Sequence, residues 1–273
     1  MIRLTSSIHN HCSHCDGENT PREMIELAIS KGFTDFGFSS HSYIECLNVP
    51  QDLYDEESYR KDIFALKKEY EGKIRVYCGL ELEYYSLPRT GCGYDYILDS
   101  VHELYVGGEC HSLARGKSYY EKTLREVCGG DGYKLVDIYY DTVSQMIQDR
   151  KPEVCCHFDL VTKYNDNMRY FDESDKRYLS KLYDTLDFAI KNDVIIELNY
   201  GAIPRQYRTV PSPPPYALPF LKERGARILI SNDCHANDFI DFGLCDGVKL
   251  LVDNGFKCVT VYENGKYVEK PLV

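Results

Sequence analysis

Two periods of apolar residues alternate along the chain. Residues 1–10 read as a short strand, with Ile2 to Ile8 running into His9. Thr20, Pro21 and Glu23 then give a helix start, as N-cap, N1 and capping-box partner. Met24, Leu27 and Ala28 follow at helical spacing, and Gly32 ends the helix. Residues 33–40 predict a buried strand that delivers His41. Tyr59, Ile63, Leu66 and Tyr70 share one helical face, predicting a helix over 56–71. Residues 74–82 form a nearly continuous apolar run carrying Glu81, and 94–101 predict a strand ending at His102. The stretch 104–130 is polar and marked by Gly107, Gly108, Gly116, Gly129 and Gly130. It predicts a looped excursion over the strand ends, with His111 as a solvated loop residue.

The alternation then resumes. Leu135, Ile138, Tyr139, Val143 and Met146 predict a helix over 131–150, followed by a brief strand, 154–156, ending at His157. Leu179, Leu182, Tyr183, Leu186 and Ile190 predict a helix over 174–191. A strand at 194–198 ends near Asn199. Prolines at 211–215 and Gly225 bracket a short helix containing Leu218 and Leu221, and 227–231 is the last core strand, delivering Asp233 and His235. Asn264-Gly265 between β-prone flanks predicts a hairpin over 258–268 that seals one end.

Seven apolar strands joined mostly by helices imply a parallel sheet covered on its outer face. A doubly wound sheet and a closed barrel both fit. The polar residues decide, because they fall at the C-terminal ends of successive strands, which converge on one mouth only in a barrel. The expected fold is α/β, an irregular seven-stranded (β/α)7 TIM-like barrel with a short C-terminal hairpin, as a single domain over 1–273.

Composition narrows the chemistry. The 273 residues are 43% apolar, enough to bury a sizeable core, and the net charge is −11. That acidity argues against a nucleic-acid partner but not against a small anionic substrate at a metal cluster. The start of the chain lacks an apolar leader, and no run is long enough to span a bilayer. With twelve cysteines and no leader, the expectation is a cytoplasmic protein, without a membrane partner, whose thiols are reduced. Cys78, Cys155 and Cys258 sit in apolar surroundings as small core residues. Cys12 and Cys15 form a lone Cys-x-x-Cys, with no second pair to complete a zinc knuckle.

Nine residues are candidate metal ligands: His9, His11, Asp16, His41, Glu81, His102, His157, Asp233 and His235. His9 and His11 lie two apart on an extended backbone, so both rings can reach one ion. Six of the chain's eight histidines are in this set, more than packing explains, since buried rings without partners are costly. Imidazole and carboxylate ligands suit Zn, Mn or Fe, and nine exceed what one ion takes, so two or three divalent ions are expected. Glu81, with two oxygens, is the natural bridge. Glu83 is expected to be a supporting or surface group.

The motifs His9-Asn10-His11 with Asp16-Gly17, Ser40-His41, Gly79-Leu80-Glu81, Ser100-Val101-His102, His157-Phe158-Asp159-Leu160, Glu197-Leu198-Asn199 and Ser231-Asn232-Asp233-Cys234-His235 occur in that order. Together the pattern resembles the polymerase and histidinol phosphatase (PHP) superfamily, and within it the histidinol-phosphate phosphatases. The resemblance implies a trinuclear centre. His9, His11, Glu81 and Asp233 would hold one metal, Glu81, His102 and His157 a second, and Asp16, His41 and His235 a third. It also implies phosphate binders at Lys163 and Arg205, with Arg208 as a nearby competitor. The implied activity is hydrolysis of L-histidinol phosphate in histidine biosynthesis, by attack of a hydroxide shared between two metals. Glu81 and Asp233 would be the catalytic carboxylates, with Asp233 or a metal-bound water as the source of the leaving group's proton. Departures from the family pattern are Asn10, Cys12, Cys15, Glu103 and the 104–130 stretch. The alternatives are a phosphoesterase acting on a nucleotide or other small phosphodiester, and a metal-stabilised binding or storage protein.

Overall fold

A computed structural model describes residues 2–45, 55–88 and 91–273. Its strands are β1 (Ser6–Ser7), β2 (Asp35–Phe38), β3 (Arg75–Glu83), β4 (Tyr96–Ser100), β5 (Glu103–Val106), β6 (Glu109–Ser112), β7 (Val154–Cys155), β8 (Ile195–Asn199), β9 (Ile228–Ser231), β10 (Cys258–Glu263) and β11 (Lys266–Pro271). One sheet runs β1-β2-β3-β4-β7-β8-β9-β10-β11, and every neighbouring pair is parallel except the terminal hairpin β10-β11. The helices are α1 (Pro21–Ser30), α2 (Glu56–Glu69), α3 (Lys117–Cys128), α4 (Gly132–Arg150), α5 (Lys176–Lys191), α6 (Leu218–Glu223) and α7 (Leu244–Asp253). The α1 capping box is present, with the Glu23 carboxylate accepting from the Thr20 amide at 2.9 Å.

The ends of the row meet. Asn10, beyond β1, bridges in parallel to Cys234, beyond β9. The His11 amide donates to the Cys234 carbonyl at 2.7 Å, and the Cys234 amide to the His9 carbonyl at 3.1 Å. Lower down, Ser6 Oγ donates to the Tyr262 carbonyl at 2.6 Å, placing β1 against β10. The seven parallel core strands therefore curve round one interior, with their C-terminal ends around one mouth.

Strand alternation divides the core in two. On β3, Val76, Cys78, Leu80 and Leu82 join the large cluster beneath the helices, while Tyr77 belongs to an inner cluster with Ile8, Tyr96, Leu98, Val154, Ile195 and Leu229. The inner face changes character along each strand. On β3 it reads Tyr77, Gly79, Glu81, Glu83, and on β4 and just beyond, Tyr96, Leu98, Ser100, His102. Apolar bulk fills the N-terminal end and polar groups crowd the mouth. Gly79 makes room for the Tyr96 ring, since a Cβ there would lie 2.2 Å from it.

The structure corrects the sequence reading in several places. The 104–130 stretch is largely ordered, as the antiparallel hairpin β5-β6 followed by α3. Its glycines mark the turns between these elements. His111 is accordingly a half-buried strand residue paired with Leu104, not a loop residue. Helix α7 is not anticipated, because Gly247 interrupts its apolar pattern; a Cβ there would lie 2.8 Å from Ile230. The C-terminal hairpin extends the sheet, with Thr260 paired in parallel to Leu229. Cys110, half-buried on β6, is disulfide-bonded, against the expectation of reduced thiols that rested on the lack of an apolar leader. No helix among the described residues is long and apolar enough to cross a membrane.

Candidate metal centre

All nine predicted ligands meet at the mouth, and Glu81 is the hub. Its Oε2 lies 3.5 Å from His9 Nε2, 3.3 Å from His11 Nε2 and 3.0 Å from His41 Nδ1. Its Oε1 lies 2.6 Å from His157 Nε2 and 3.2 Å from His102 Nε2. One carboxylate thus turns its two oxygens to two groups of imidazoles. Asp233 Oδ1 closes the first group, 3.5 Å from His9 Nε2 and 3.2 Å from His11 Nε2. Asp16 gathers a third, with Oδ1 3.6 Å from His41 Nε2 and Oδ2 3.2 Å from His235 Nε2.

Local backbone aims these side chains. His157 and Asp233 adopt positive φ angles of 22° and 44° at the ends of β7 and β9. Such conformations are strained for residues with a Cβ and collect at functional sites. Val154 and Cys156 already point inward, so simple alternation would turn His157 away from the mouth. Gly201 lets Asp233 lie close, because a Cβ there would be 2.5 Å from the Asp233 Cβ.

Two carboxylates orient the rings from behind. Glu197 Oε1 contacts His9 Nδ1 at 2.5 Å, and its Oε2 accepts from the His157 amide at 2.7 Å. Glu83 Oε2 accepts from the His102 amide at 2.6 Å and lies 3.1 Å from its Nδ1. A carboxylate on one ring nitrogen fixes the tautomer and frees the other nitrogen for a metal. The sequence reading gave Glu197 no role and left Glu83 open. The available signal was position, because Glu81/Glu83 and Glu197/Asn199 are same-face pairs near strand ends.

The electrostatics favour cations. Burial opposes charge on His41 and His102, yet Glu81 and Asp16 hold the first up to about 10, and Glu81 and Glu83 the second up to about 9. Burial likewise opposes ionisation of Glu81, but His102, His41 and His9 keep it well below the usual carboxylate range. His9 Nε2, His11 Nε2 and Glu81 Oε2 are buried without a hydrogen-bond partner among the described residues. Unmet acceptors and donors are rare in folded interiors, and here they converge on common points. Ligand atoms of His11, Asp16, His41 and His235 all lie within 4.8 Å of one another, as do those of His9, His11 and Asp233, and those of His41, Glu81 and His102. This nitrogen and oxygen donor set fits divalent cations.

A family model described as the PHP domain matches residues 7–201. The chain belongs to the PHP domain family. Two relatives are a Schizosaccharomyces pombe protein named "Probable histidinol-phosphatase", 27% identical over 84% of this chain and 80% of its own, and the Bacillus subtilis "Histidinol-phosphatase", 27% identical over 73% and 81%. A solved structure, the histidinol phosphate phosphatase of Lactococcus lactis complexed with zinc, L-histidinol and phosphate, superposes with a TM-score of 0.72, covering 97% of this chain and all of its own at 19% identity.

Beside the centre lies a cavity of about 460 Å³, lined in part by Lys163, Arg205 and Arg208. Lys163 Nζ donates to the Ala114 carbonyl at 3.1 Å and stands 5.0 Å from the centre of the Tyr207 ring. Burial, then the nearby Arg205, push its ammonium down to about 8. Arg205 reaches into the centre, with Nη2 2.9 Å from Asp233 Oδ2. Arg208 is committed elsewhere, paired with Asp166 at 2.8 Å and Glu173 at 2.6 Å. Cys15 Sγ lies 3.5 Å from His11 Nδ1, and Cys12 Sγ lies 3.7 Å from Ser40 Oγ.

Proposed function

We propose that this PHP protein is a metal-dependent phosphomonoesterase that hydrolyses L-histidinol phosphate to L-histidinol and phosphate in histidine biosynthesis, in a cytoplasmic setting. The observation that carries the reading is Glu81, whose two oxygens address two separate groups of buried histidines. The named relatives support the choice of ester.

His9, His11, Glu81 and Asp233 would hold one ion, Glu81, His102 and His157 a second, and Asp16, His41 and His235 a third. Two or three ions of Zn, Mn or Fe, when bound, supply Lewis acidity and lower the pKa of water. The chain's own side chains do the rest. Lys163 and Arg205 bind the non-bridging phosphate oxygens, which carry spread charge in a loose transition state. Asp233, whose Oδ1 faces the histidines and whose Oδ2 faces Arg205, would take the proton that the attacking water gives up and pass it to the leaving alcohol oxygen. Water becomes part of the phosphate, the phosphorus–oxygen ester bond breaks, and the alcohol departs protonated.

The test is steady-state phosphate release from L-histidinol phosphate by metal-loaded protein, beside a nucleotide and a simple diester. Preference for the monoester supports the reading. Preference for the diester or nucleotide replaces it, and bound metal without hydrolysis of any ester overturns it.

A further inference from the structure

Three histidines at the mouth turn Nε2 to the central carboxylates and are held at Nδ1 by an oxygen. His9 Nδ1 meets Glu197 at 2.5 Å, His102 Nδ1 meets Glu83 at 3.1 Å, and His235 Nδ1 meets the Asp233 carbonyl at 2.8 Å. His11 also turns Nε2 inward, to Glu81 and Asp233, but the hydrogen-bonding contact at its Nδ1 is sulfur: Cys15 Sγ at 3.5 Å. Asp16 Oδ1 stands equally far from that nitrogen, which is long for a hydrogen bond to oxygen. The Asp16 oxygens are instead turned to His41 and His235.

The chain between His11 and Asp16 is built to keep the sulfur there. The Cys15 and Gly17 amides both donate to the Cys12 carbonyl, at 2.9 and 3.2 Å, and the Ser13 amide donates to the Asn19 carbonyl at 2.9 Å. Cys12 is fully buried beside Ser40 and anchors the turn. Gly17 lets the turn close on the ligand's own backbone, since a Cβ there would lie 2.5 Å from the His11 carbonyl. The His11 ring is itself fully buried, packed against those of His41 and His235 with centroids 4.4 and 4.1 Å away.

Resting on the metal-centre reading, we propose that Cys15 is a positioning residue. Its sulfur accepts the His11 Nδ1 proton in a hydrogen bond and so commits His11 Nε2 to the ion shared with His9, Glu81 and Asp233. A partner on one ring nitrogen fixes the tautomer and the ring orientation. Cys15 does for His11 what Glu197 does for His9, without adding a carboxylate to a ring already surrounded by Asp16, Glu81 and Asp233. The Cys-x-x-Cys segment thus serves the centre from one step outside it: Cys12 anchors, Cys15 aims, and neither sulfur is a ligand.

The experiment loads wild-type, Cys15→Ala and Cys15→Ser protein with zinc or cobalt(II). Affinity is read by competition with a chelator, and the cobalt absorption spectrum is recorded beside it. Cys15→Ala is expected to weaken the binding of one ion by roughly tenfold, the lower end of what losing such a partner costs. Cys15→Ser, which keeps an acceptor, is expected to lose less, and it carries the comparison if the alanine variant does not fold. The metal-free forms are expected to melt alike, and cobalt-loaded wild type is expected to lack a thiolate-to-cobalt charge-transfer band. Wild-type affinity in both variants overturns the role of Cys15. So does a loss of affinity matched by a lower melting temperature of the metal-free variants, which marks a packing role. A charge-transfer band that disappears in Cys15→Ala also overturns it, because Cys15 is then a ligand. All three leave the metal centre intact. Failure of the wild-type protein to bind either metal overturns the centre, and this proposal with it.

Discussion

At the N-terminal ends of the barrel strands, Asp35 accepts from Arg75 Nε at 2.6 Å, Arg75 Nη2 at 2.6 Å and Tyr77 Oη at 2.7 Å. Deeper in the same interior, the Tyr96 hydroxyl donates to the Ile8 and Phe38 carbonyls at 2.5 and 2.9 Å. At the C-terminal ends, His9 Nε2, His11 Nε2, Glu81 Oε2 and Glu103 Oε2 are buried without a hydrogen-bond partner among the described residues. The same strands build both regions, and the inner face merely shifts from aromatic to ionisable along their length. A polar group paired within the chain holds the fold. One left unmet at a convergent mouth is available to something the chain must bind.

Substitutions at the two ends should separate stability from chemistry. The largest effect is expected from Glu81→Ala, which removes the shared carboxylate. Metal content, measured by elemental analysis, should fall with turnover, the latter by on the order of 10³-fold or more. Near-normal values of both would erase the contrast between mouth and base. Glu197→Gln keeps the volume but weakens the hold on His9 and His157. Metal affinity or activity should fall by roughly 10–100-fold, with little change in melting temperature.

The base should respond oppositely. Gly79→Ala drives a methyl into the Tyr96 ring and should cost about 1–3 kcal/mol in denaturant melts, while kcat per folded molecule stays within about twofold. A loss of turnover beyond the loss of folded protein would show that the two ends are coupled.

The smallest effect concerns pH. Burial opposes ionisation of Asp35, but bonds from Arg75, Tyr77 and Thr34 hold its carboxyl below the ordinary aspartate value. The folded form therefore binds its proton less readily than the unfolded chain. The stabilisation is present above the unfolded value near about 4 and is lost as pH falls below it. Asp35→Asn should lower stability at neutral pH by about 1–3 kcal/mol and flatten part of the acid-side decline in melting temperature. An unchanged slope below about pH 4 would show that Asp35 carries none of it.

Much of this division is legible in the sequence because it rests on short-range rules. The Thr20-Pro21-Glu23 cap, the strand endings at His41, His102 and His157, and the Asn264-Gly265 turn each depend on a few neighbouring residues. The gathering of nine ligands follows once the strands are taken as parallel and closed, since topology carries their ends to one mouth. What escaped depends on three-dimensional packing. Nothing local marks Gly79 as the slot for Tyr96, or Gly201 as the slot for Asp233. Glu197 reads as part of a motif, but its contacts with His9 and His157 join residues 188 and 40 positions away. The β5-β6 hairpin hides among glycines that look like loop residues and are in fact its turns. Helix α7 hides because Gly247 is required by the nearness of Ile230.

The claim beneath the whole account is that these distant imidazoles and carboxylates form one cage for divalent cations. Anomalous diffraction from crystals of metal-loaded protein tests it directly. The account predicts two or three peaks at the mouth, with Glu81 touching two of them through different oxygens. Crystals soaked in Zn or Mn that show no peak within bonding distance of Glu81 would contradict it.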